Sequence, residues 1–592
     1  GSEMCIRDRS YISNGASESE YASSSTSAKA YAYGGAIYNA SSKTIGNITG
    51  SFNGNYAQAE AATTSEAHGG AIYSQGTIGT ITANFTGNYI NAKNATYGGA
   101  IYNSGSITGL SGNFTNNYIK NTASGSAFGG AIYNTSTITN GLSNSTLSNN
   151  YVTTTGSAQG GAIYNSGSNF GDISATFIKN YAQTNSNPYG GAIYNSGTIK
   201  SISGSFSNNY TLANSSNACG GAIYNTKTIT NGISNSSFSN NYTQANTGTI
   251  QGGAIYNNSS SSLNISADFS NNYAKSLSNG TIQGGAIYNS GSGTVNITSN
   301  FSQNYVTSTS GTTQGGAIYN TSAYLNSVSG NFSNNYAQAQ TTYGGAIYNN
   351  STIKTISGNF KNNYALSTGN NAYGGAIYNN SSISTAIQNA EFTGNYADAE
   401  SGTVQGGAIY NNNTIAGIIN TSFYNNYVKT NTGTTAQGGA IFTTKNLTIS
   451  ANNGSSTFSG NYVQNSTGTK DYQAIYMNSS SLTLTLNATN NGSIIFDDYI
   501  SGVNGYKVTL SGDSTGNIIF NSANSIQNAT TTLSSGNLTF GTDSFAHSTS
   551  TLNTTGSASV NLNDGKISNY NINKLSSNTN SKWNIDLSLI HI

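Results

Sequence analysis

The tetrapeptide GGAI begins at Gly34 and returns at Gly69, Gly98, Gly129, Gly160, Gly190, Gly220, Gly252, Gly284, Gly315, Gly344, Gly374, Gly406 and Gly438, with spacings of 29 to 35 residues. A weakened copy, YQAIY, spans Tyr472 to Tyr476. A unit of about 31 residues buries too little apolar surface to offset its own conformational entropy, so such a chain must stack like units on one another. Between the copies runs a second motif, F-x-x-N-Y: Phe52 with Asn55 and Tyr56, then Phe85, Phe114, Phe177 and onward to Phe458, with Leu147 as an apolar substitute.

The connecting stretches TIGNITGSF, TIGTITANF and TIKSISGSF keep one rule. In the first, Ile45 stands three residues before Ile48, and Ile48 four before Phe52. Side chains alternate along a strand, so Ile48, Gly50 and Phe52 share a face, and the odd step before Ile48 is expected to cross a corner. In GGAIYN, alternation puts Gly35, Ile37 and Asn39 on one face and Ala36 and Tyr38 on the other. The Ile face is taken as inward. Each rung then has three short strands (GAIYN, a brief one at Ile45, and ITGSF) with a variable Ser/Thr/Ala/Asn loop closing the turn. Helical repeats would need Leu and Ala at a 3.6-residue period, which is missing. One proline in 592 residues, with abundant Gly, Asn and β-branched side chains, also favours strands and tight turns.

The expected fold is all-β: a right-handed parallel β-helix with one rung per repeat, about fifteen rungs in all. Its inward ladder is Ile37, Asn39, Ile48, Phe52 and Asn55 with their counterparts, the Asn forming amide ladders at the corners. Gly34 and Gly35 suit a corner that needs positive φ or close backbone approach. An outward ladder is expected at Tyr38, Tyr73, Tyr102, Tyr133, Tyr164, Tyr194, Tyr224, Tyr256, Tyr288, Tyr319, Tyr348, Tyr378 and Tyr410. Residues 10–33 read as a partial first repeat and 34–476 as the repeat region. The stretches GSIIFDD, GNIIFNS and GNLTFGT, with Phe496, Phe520 and Phe540, read as shorter, looser rungs over 477–586.

The two ends differ from everything between them. One nucleotide string, read on opposite strands, encodes both LSLIHI at Leu587 to Ile592 and MCIRD at Met4 to Asp8, and it resembles a transposase-end sequencing adapter. Residues 1–9 and 587–592 are therefore expected to be adapter translation, and 10–586 a gene fragment. Of the two cysteines, only Cys219 then belongs to the protein, in a slot before Gly-Gly that elsewhere holds Tyr, Gln, Phe or His.

Composition closes several functions. Charged residues make up 6% of the chain, against about 25% in ordinary domains, and the net charge is +1, so the clustered Lys and Arg that bind nucleic acid are missing. No apolar run approaches the ~20 residues of a membrane helix. His68 and His547 lie far apart, which gives no metal cluster or catalytic triad, and no cofactor is expected. Asp497-Asp498 is the one adjacent acid pair, and strand neighbours face opposite ways. Polysaccharide hydrolases and lyases need several acids, or acids with Lys or Arg, gathered on one outer face, whereas here one rung rarely has even one acid. Calcium-binding β-rolls need an Asp in each Gly-rich turn, and GGAIYN has none. Gly-Gly is followed by no Lys-Ser/Thr, so it is no phosphate loop. Ice or crystal-surface binding would want Thr in register, which these are not.

The paired G-G-A-I and F-x-x-N repeats, over about Gly34 to Tyr462, resemble those of the polymorphic outer membrane proteins of chlamydiae. That resemblance implies an autotransporter adhesin passenger: a secreted or cell-surface β-helix, anchored only by a C-terminal membrane barrel outside this fragment and preceded by a secretory signal. Its partners would be a host or neighbouring-cell surface protein or glycan, and self-association through uncapped ends is expected. This chain departs from those proteins in its scarcity of Cys and its uniform GGAIYN. The expected function is adhesin or structural stalk without catalysis. The alternative is a polysaccharide-active β-helix lyase or hydrolase.

Overall fold

The computed structural model describes residues 15–18, 29–59, 64–121, 125–433, 435–522, 525–541, 546–562, 571–577 and 580–585. The two stretches read as adapter, 1–9 and 587–592, lie outside the described residues, as do most of 10–33 and part of 477–586. The fold is a right-handed parallel β-helix with a period of about 31 residues and about fourteen turns. It divides into two units, Gly1–Thr312 with Thr321–Ala323, and Thr313–Asn320 with Tyr324–Ile592.

In the first unit each turn lays down two core faces. One stacks the IYN strands: Ile37–Asn39 pairs in parallel with Ile72–Ser74, which pairs with Ile101–Asn103, Ile over Ile and Tyr over Tyr. The other stacks the Phe strands, with Phe52 opposite Phe85 and Phe177 opposite Phe206. Between them lie Ile37, Ile45, Ile48 and Phe52, all buried, with Phe rings 4.6–4.9 Å apart along the column. The second unit repeats the plan, from Ile347 opposite Ile377 and Phe360 opposite Phe392.

The step from Ile45 to Ile48 is not a corner. Thr44–Ile45 and Ile48–Asn53 both pair with the single strand Thr77–Thr86, in which Ile78 and Ile81 are both buried while Gly79 and Thr80 between them are not. Gly79 and Thr80 both turn away from the core, and the partner strand takes the same three-residue step, with Ile45 opposite Ile78 and Ile48 opposite Ile81, so the apolar register returns within one sheet. Alternation also fails at Ala36. Its counterparts Ala71, Ala100 and Ala131 are fully buried, not outward beside Tyr. The N–H groups of Ala71 and Ile72 both donate to the Ala100 carbonyl, so the chain bends there and the two-residue period lapses.

The variable segment is not a loop. After Asn55 the chain runs out as Tyr56–Ala59, returns as Thr64–His68, and only then reaches the next Gly-Gly. Both strands pair with their counterparts one turn on. They face each other across a separate core: Ala57, Ala59, Ile90, Ala92, Ile119, Val152 and Ala182 from the outgoing strands against Ala32, Ala67, Ala127 and Ala158 from the returning ones. Small side chains let the two strands close into a thin fin. A like core, with Ala365, Ala397, Val428 and Val463 against Ala372 and Val404, fills the fin of the second unit.

The two motifs form the neck where the fin leaves the main core. The second x of F-x-x-N-Y takes the left-handed conformation, at Gly54, Gly87, Asn116, Asn149, Asn208 and Asn240, which is why Gly and Asn dominate there. The first Gly of each pair does the same, from Gly34 at φ 56° onward. The second answers to space: a Cβ on Gly191 would lie 2.1 Å from the Gly221 carbonyl oxygen and 2.5 Å from that of Tyr210. Gly191→Ala must therefore move backbone, and is expected to destabilise by about 3 kcal/mol, the upper end for overpacking. Gly54→Ala meets nothing within 4 Å and carries only the φ penalty, ~1–2 kcal/mol. Equal losses of denaturation midpoint in the two variants would show that the neck is not closed.

Candidate functional site

Two polar columns run inside the turn. Asn55, Asn88, Asn117, Asn150, Asn180, Asn209, Asn241 and Asn272 are fully buried at the neck, and each backbone N–H and Nδ2 donates to the Oδ1 of the next. The second Nδ2 hydrogen goes to the carbonyl of a Phe (Leu147 at one rung), as from Asn88 to Phe52 at 2.9 Å. Asn39, the other inward amide, is buried and donates to Ser74 Oγ. From Asn103 the column continues through Asn134, Asn165, Asn195, Asn225 and Asn257 at 2.7–2.9 Å. These amides have their hydrogen bonds in the stack, which gives them a structural role.

The Tyr of IYN stack outside the main core. Tyr38 and Tyr73 have ring centroids 5.3 Å apart, Tyr73 and Tyr102 4.8 Å, and the column continues through Tyr133, Tyr164, Tyr194, Tyr224, Tyr256 and Tyr288. In the second unit Tyr319, Tyr348, Tyr378 and Tyr410 do the same. The column is far from openly displayed. Tyr38 is 53% exposed, but Tyr73 is 6%, Tyr288, Tyr319 and Tyr348 are buried too, and most of the others are half-buried. Where the residue before Gly-Gly is aromatic, it packs over them: Tyr97 meets Tyr133 at 4.9 Å and 61°, and Tyr343 meets Tyr378 at 4.9 Å and 76°. Burial raises the phenols of Tyr194 and Tyr319 to about 12, so those two stay neutral.

A second tyrosine column escaped the sequence reading. The Tyr of F-x-x-N-Y stack on the outer side of the fin from Tyr56 through Tyr89, Tyr118, Tyr151, Tyr181, Tyr210, Tyr242 and Tyr273 to Tyr305, at 4.8–5.3 Å and within 16° of parallel. The recurring NY carried the signal, but the segment it opens looked like loop. Each ring covers the faces of its neighbours, so the column offers edges and hydroxyls to solvent, with no open ring face between its ends.

The charged and nucleophilic groups do not converge. Asp172 sits between Lys200 Nζ at 2.8 Å and Ser201 Oγ at 2.6 Å, and the Lys200 hydrogen bond holds its carboxyl below the usual range. Asp268 accepts from Asn300, and Asp398 lies 4.0 Å from Lys429. Asp513 accepts from the N–H of Asn490 one turn back and from those of Thr515 and Gly516 in its own turn, which lower its pKa. Asp497 and Asp498 part as alternation requires: Asp497 is exposed and accepts from Asn521, while Asp498 is buried. His68 is packed against Tyr33, Tyr73, Tyr97 and Tyr102, and burial lowers its pKa to about 4. It is neutral at pH 7, so the Glu66 contact at 3.7 Å is no ion pair there. Burial pushes the Cys219 thiol up, far from a reactive thiolate. Among the described residues no group of three or more His, Cys, Asp or Glu could hold a metal ion, and no helix is long and apolar enough to cross a membrane.

No protein-family model, curated protein or solved structure matches this chain. What fold and surface define is a class, the parallel β-helix solenoid built of repeats, a shape shared by structural, adhesive and enzymatic proteins.

Proposed function

We propose that this protein is a non-catalytic passenger of a bacterial cell surface, an adhesin or stalk of the kind its GGAI and F-x-x-N repeats resemble. The observation that carries this reading is the Tyr56 to Tyr305 column: nine consecutive turns hold the same outward residue, its ring faces given to its neighbours. Such a column stiffens a support, since each ring contact adds ~0.5–1.5 kcal/mol and fixes the register of the next turn. A glycan-hydrolysing surface would instead need two carboxylates facing one bond, about 5–10 Å apart. Here Asp172 and Asp268 each bond to the next turn alone.

The test has two arms. Incubated with pectin-like and other polysaccharides, the protein is expected to release no reducing sugar. Cleavage abolished by Asp172→Asn or Asp268→Asn would overturn the reading in favour of the enzyme. Displayed on beads, the chain is expected to raise attachment to bacterial or host cells if it is the adhesin, and to leave it unchanged if it is the stalk.

A further inference from the structure

All the axial columns of the second unit's fin end at one place, and each ends on a group that cannot be extended. The neck amides run Asn335, Asn363, Asn395, Asn426, Asn461 and then Asp498. An Asn at the last position would send its Nδ2 hydrogen onward to no partner. The Asp498 carboxylate, 1% exposed, only accepts: from Asn461 N at 2.8 Å, Asn461 Nδ2 at 2.7 Å and Gly460 N at 2.9 Å. The fin tyrosines run Tyr336, Tyr364, Tyr396, Tyr427 and Tyr462. The last ring carries Lys470 Nζ 4.3 Å from its centroid, on the face that Tyr427 does not take.

The strand edges close as well. Tyr462–Gln464 pairs with Lys470–Asp471 in an antiparallel hairpin, with Val463 opposite Asp471 and Gln464 opposite Lys470, whereas fin strands of earlier turns pair in parallel. At the returning edge Gly406 N donates to a backbone carbonyl, that of Gln437, but Gly438 N donates to the side chain of Gln473, Oε1, at 2.7 Å. Tyr499 Oη then joins Gln473 Nε2 to the Asp471 carboxylate. In the next turn the chain passes from Phe496 straight to Tyr499–Gly502 on the IYN face, with no fin strand between them.

We propose that Gly460–Tyr499 is a terminator whose role is to keep this end of the fin from pairing with a second copy of the same chain. A fin of identical parallel strands is a ready template at its open end, because a second copy presents matching Tyr, Asn and backbone groups at the same spacing. The terminator removes that match with one buried carboxylate, one ammonium and one reversed strand. A near-neutral chain has little overall repulsion to do so otherwise.

The full chain, Lys470→Ala, Lys470→Arg and Asp498→Asn are compared by light scattering over a concentration series, with Lys275→Ala, a fin lysine away from the terminator, as control. Lys470 is exposed, so its variants keep the fold and decide the matter even where Asp498→Asn does not. Lys470→Ala is expected to self-associate at about tenfold lower concentration, and Lys470→Arg and Lys275→Ala to behave as the parent. Cys introduced at the exposed Tyr472 should then be shielded from alkylation in associated Lys470→Ala and open to it in the parent chain. Folded Lys470→Ala that associates no more readily than the parent, or that associates with position 472 still open to alkylation, overturns the proposal.

Discussion

Ile193→Asp is expected to cost about 5 kcal/mol or more at pH 7 and to melt the turns around it. Ile193 is fully buried, with Ile163 on one side and Ile223 on the other in the same register. The substitution removes an apolar burial of ~1.5–3 kcal/mol and puts in its place a carboxylate with no partner, a further several kcal/mol. Part of that is relieved by protonation. Burial raises the folded pKa above the unfolded one, so the native state takes up the proton and the loss shrinks as pH falls below the raised value. Stability should therefore be lost more at pH 8 than at pH 4. Tyr38→Ser, at an outward position 53% exposed, should change stability by less than about 1 kcal/mol. Chemical denaturation at the two pH values checks both, and equal losses would mean that inner and outer faces are misassigned.

The contrast between those two residues marks what could be read from letters. The inner ladder was legible because Ile, Phe and Asn are distinctive side chains at fixed offsets: Ile37, Ile48, Phe52, Asn39 and Asn55 all stand buried. The outer ladder was half legible. Tyr38 predicted a column, but not that Tyr33, His68, Tyr97 and Phe128 would close over it, since those residues vary from repeat to repeat and belong to a strand the sequence did not reveal.

The fin stayed hidden for a physical reason. Its core is Ala57, Ala59 and Ala67, whose small apolar surface gives no signal against a Ser/Thr/Ala background, and its turn varies in length. Asp498 was singled out only as half of an acid pair, when its place in the Asn column gives it its role. The run of the chain at Ile45 was likewise invisible, because a three-residue step fits a corner and a step within one sheet equally well.

The neck column allows the sharpest test of how much stacked amides contribute. In Asn241→Leu the size of the side chain is nearly kept and its polarity is lost. Asn209 N and Asn209 Nδ2 both donate to Asn241 Oδ1 at 3.0 Å, and both lose their acceptor. The Phe206 carbonyl loses the Nδ2 hydrogen that reaches it at 2.8 Å. Asn272 Oδ1 keeps one donor, the backbone N–H of residue 241, and loses the other. Two buried N–H groups are thus left unpaired at ~1–3 kcal/mol each, while the two oxygens each lose one donor, against a gain of no more than ~2 kcal/mol from burying leucine carbon, so a net loss of about 2 kcal/mol is expected. Asn91→Leu makes the same chemical change at an exposed fin position and should stay within about 0.5 kcal/mol of the parent. Amide hydrogen exchange then locates the damage: protection should fall at Asn209 and in the turns holding Phe206 and Asn272, and hold at Tyr56–Ala59, several turns away. Unchanged protection at Asn209 would mean that its two N–H groups find other acceptors, and that the ladder orders the neck without stabilising it.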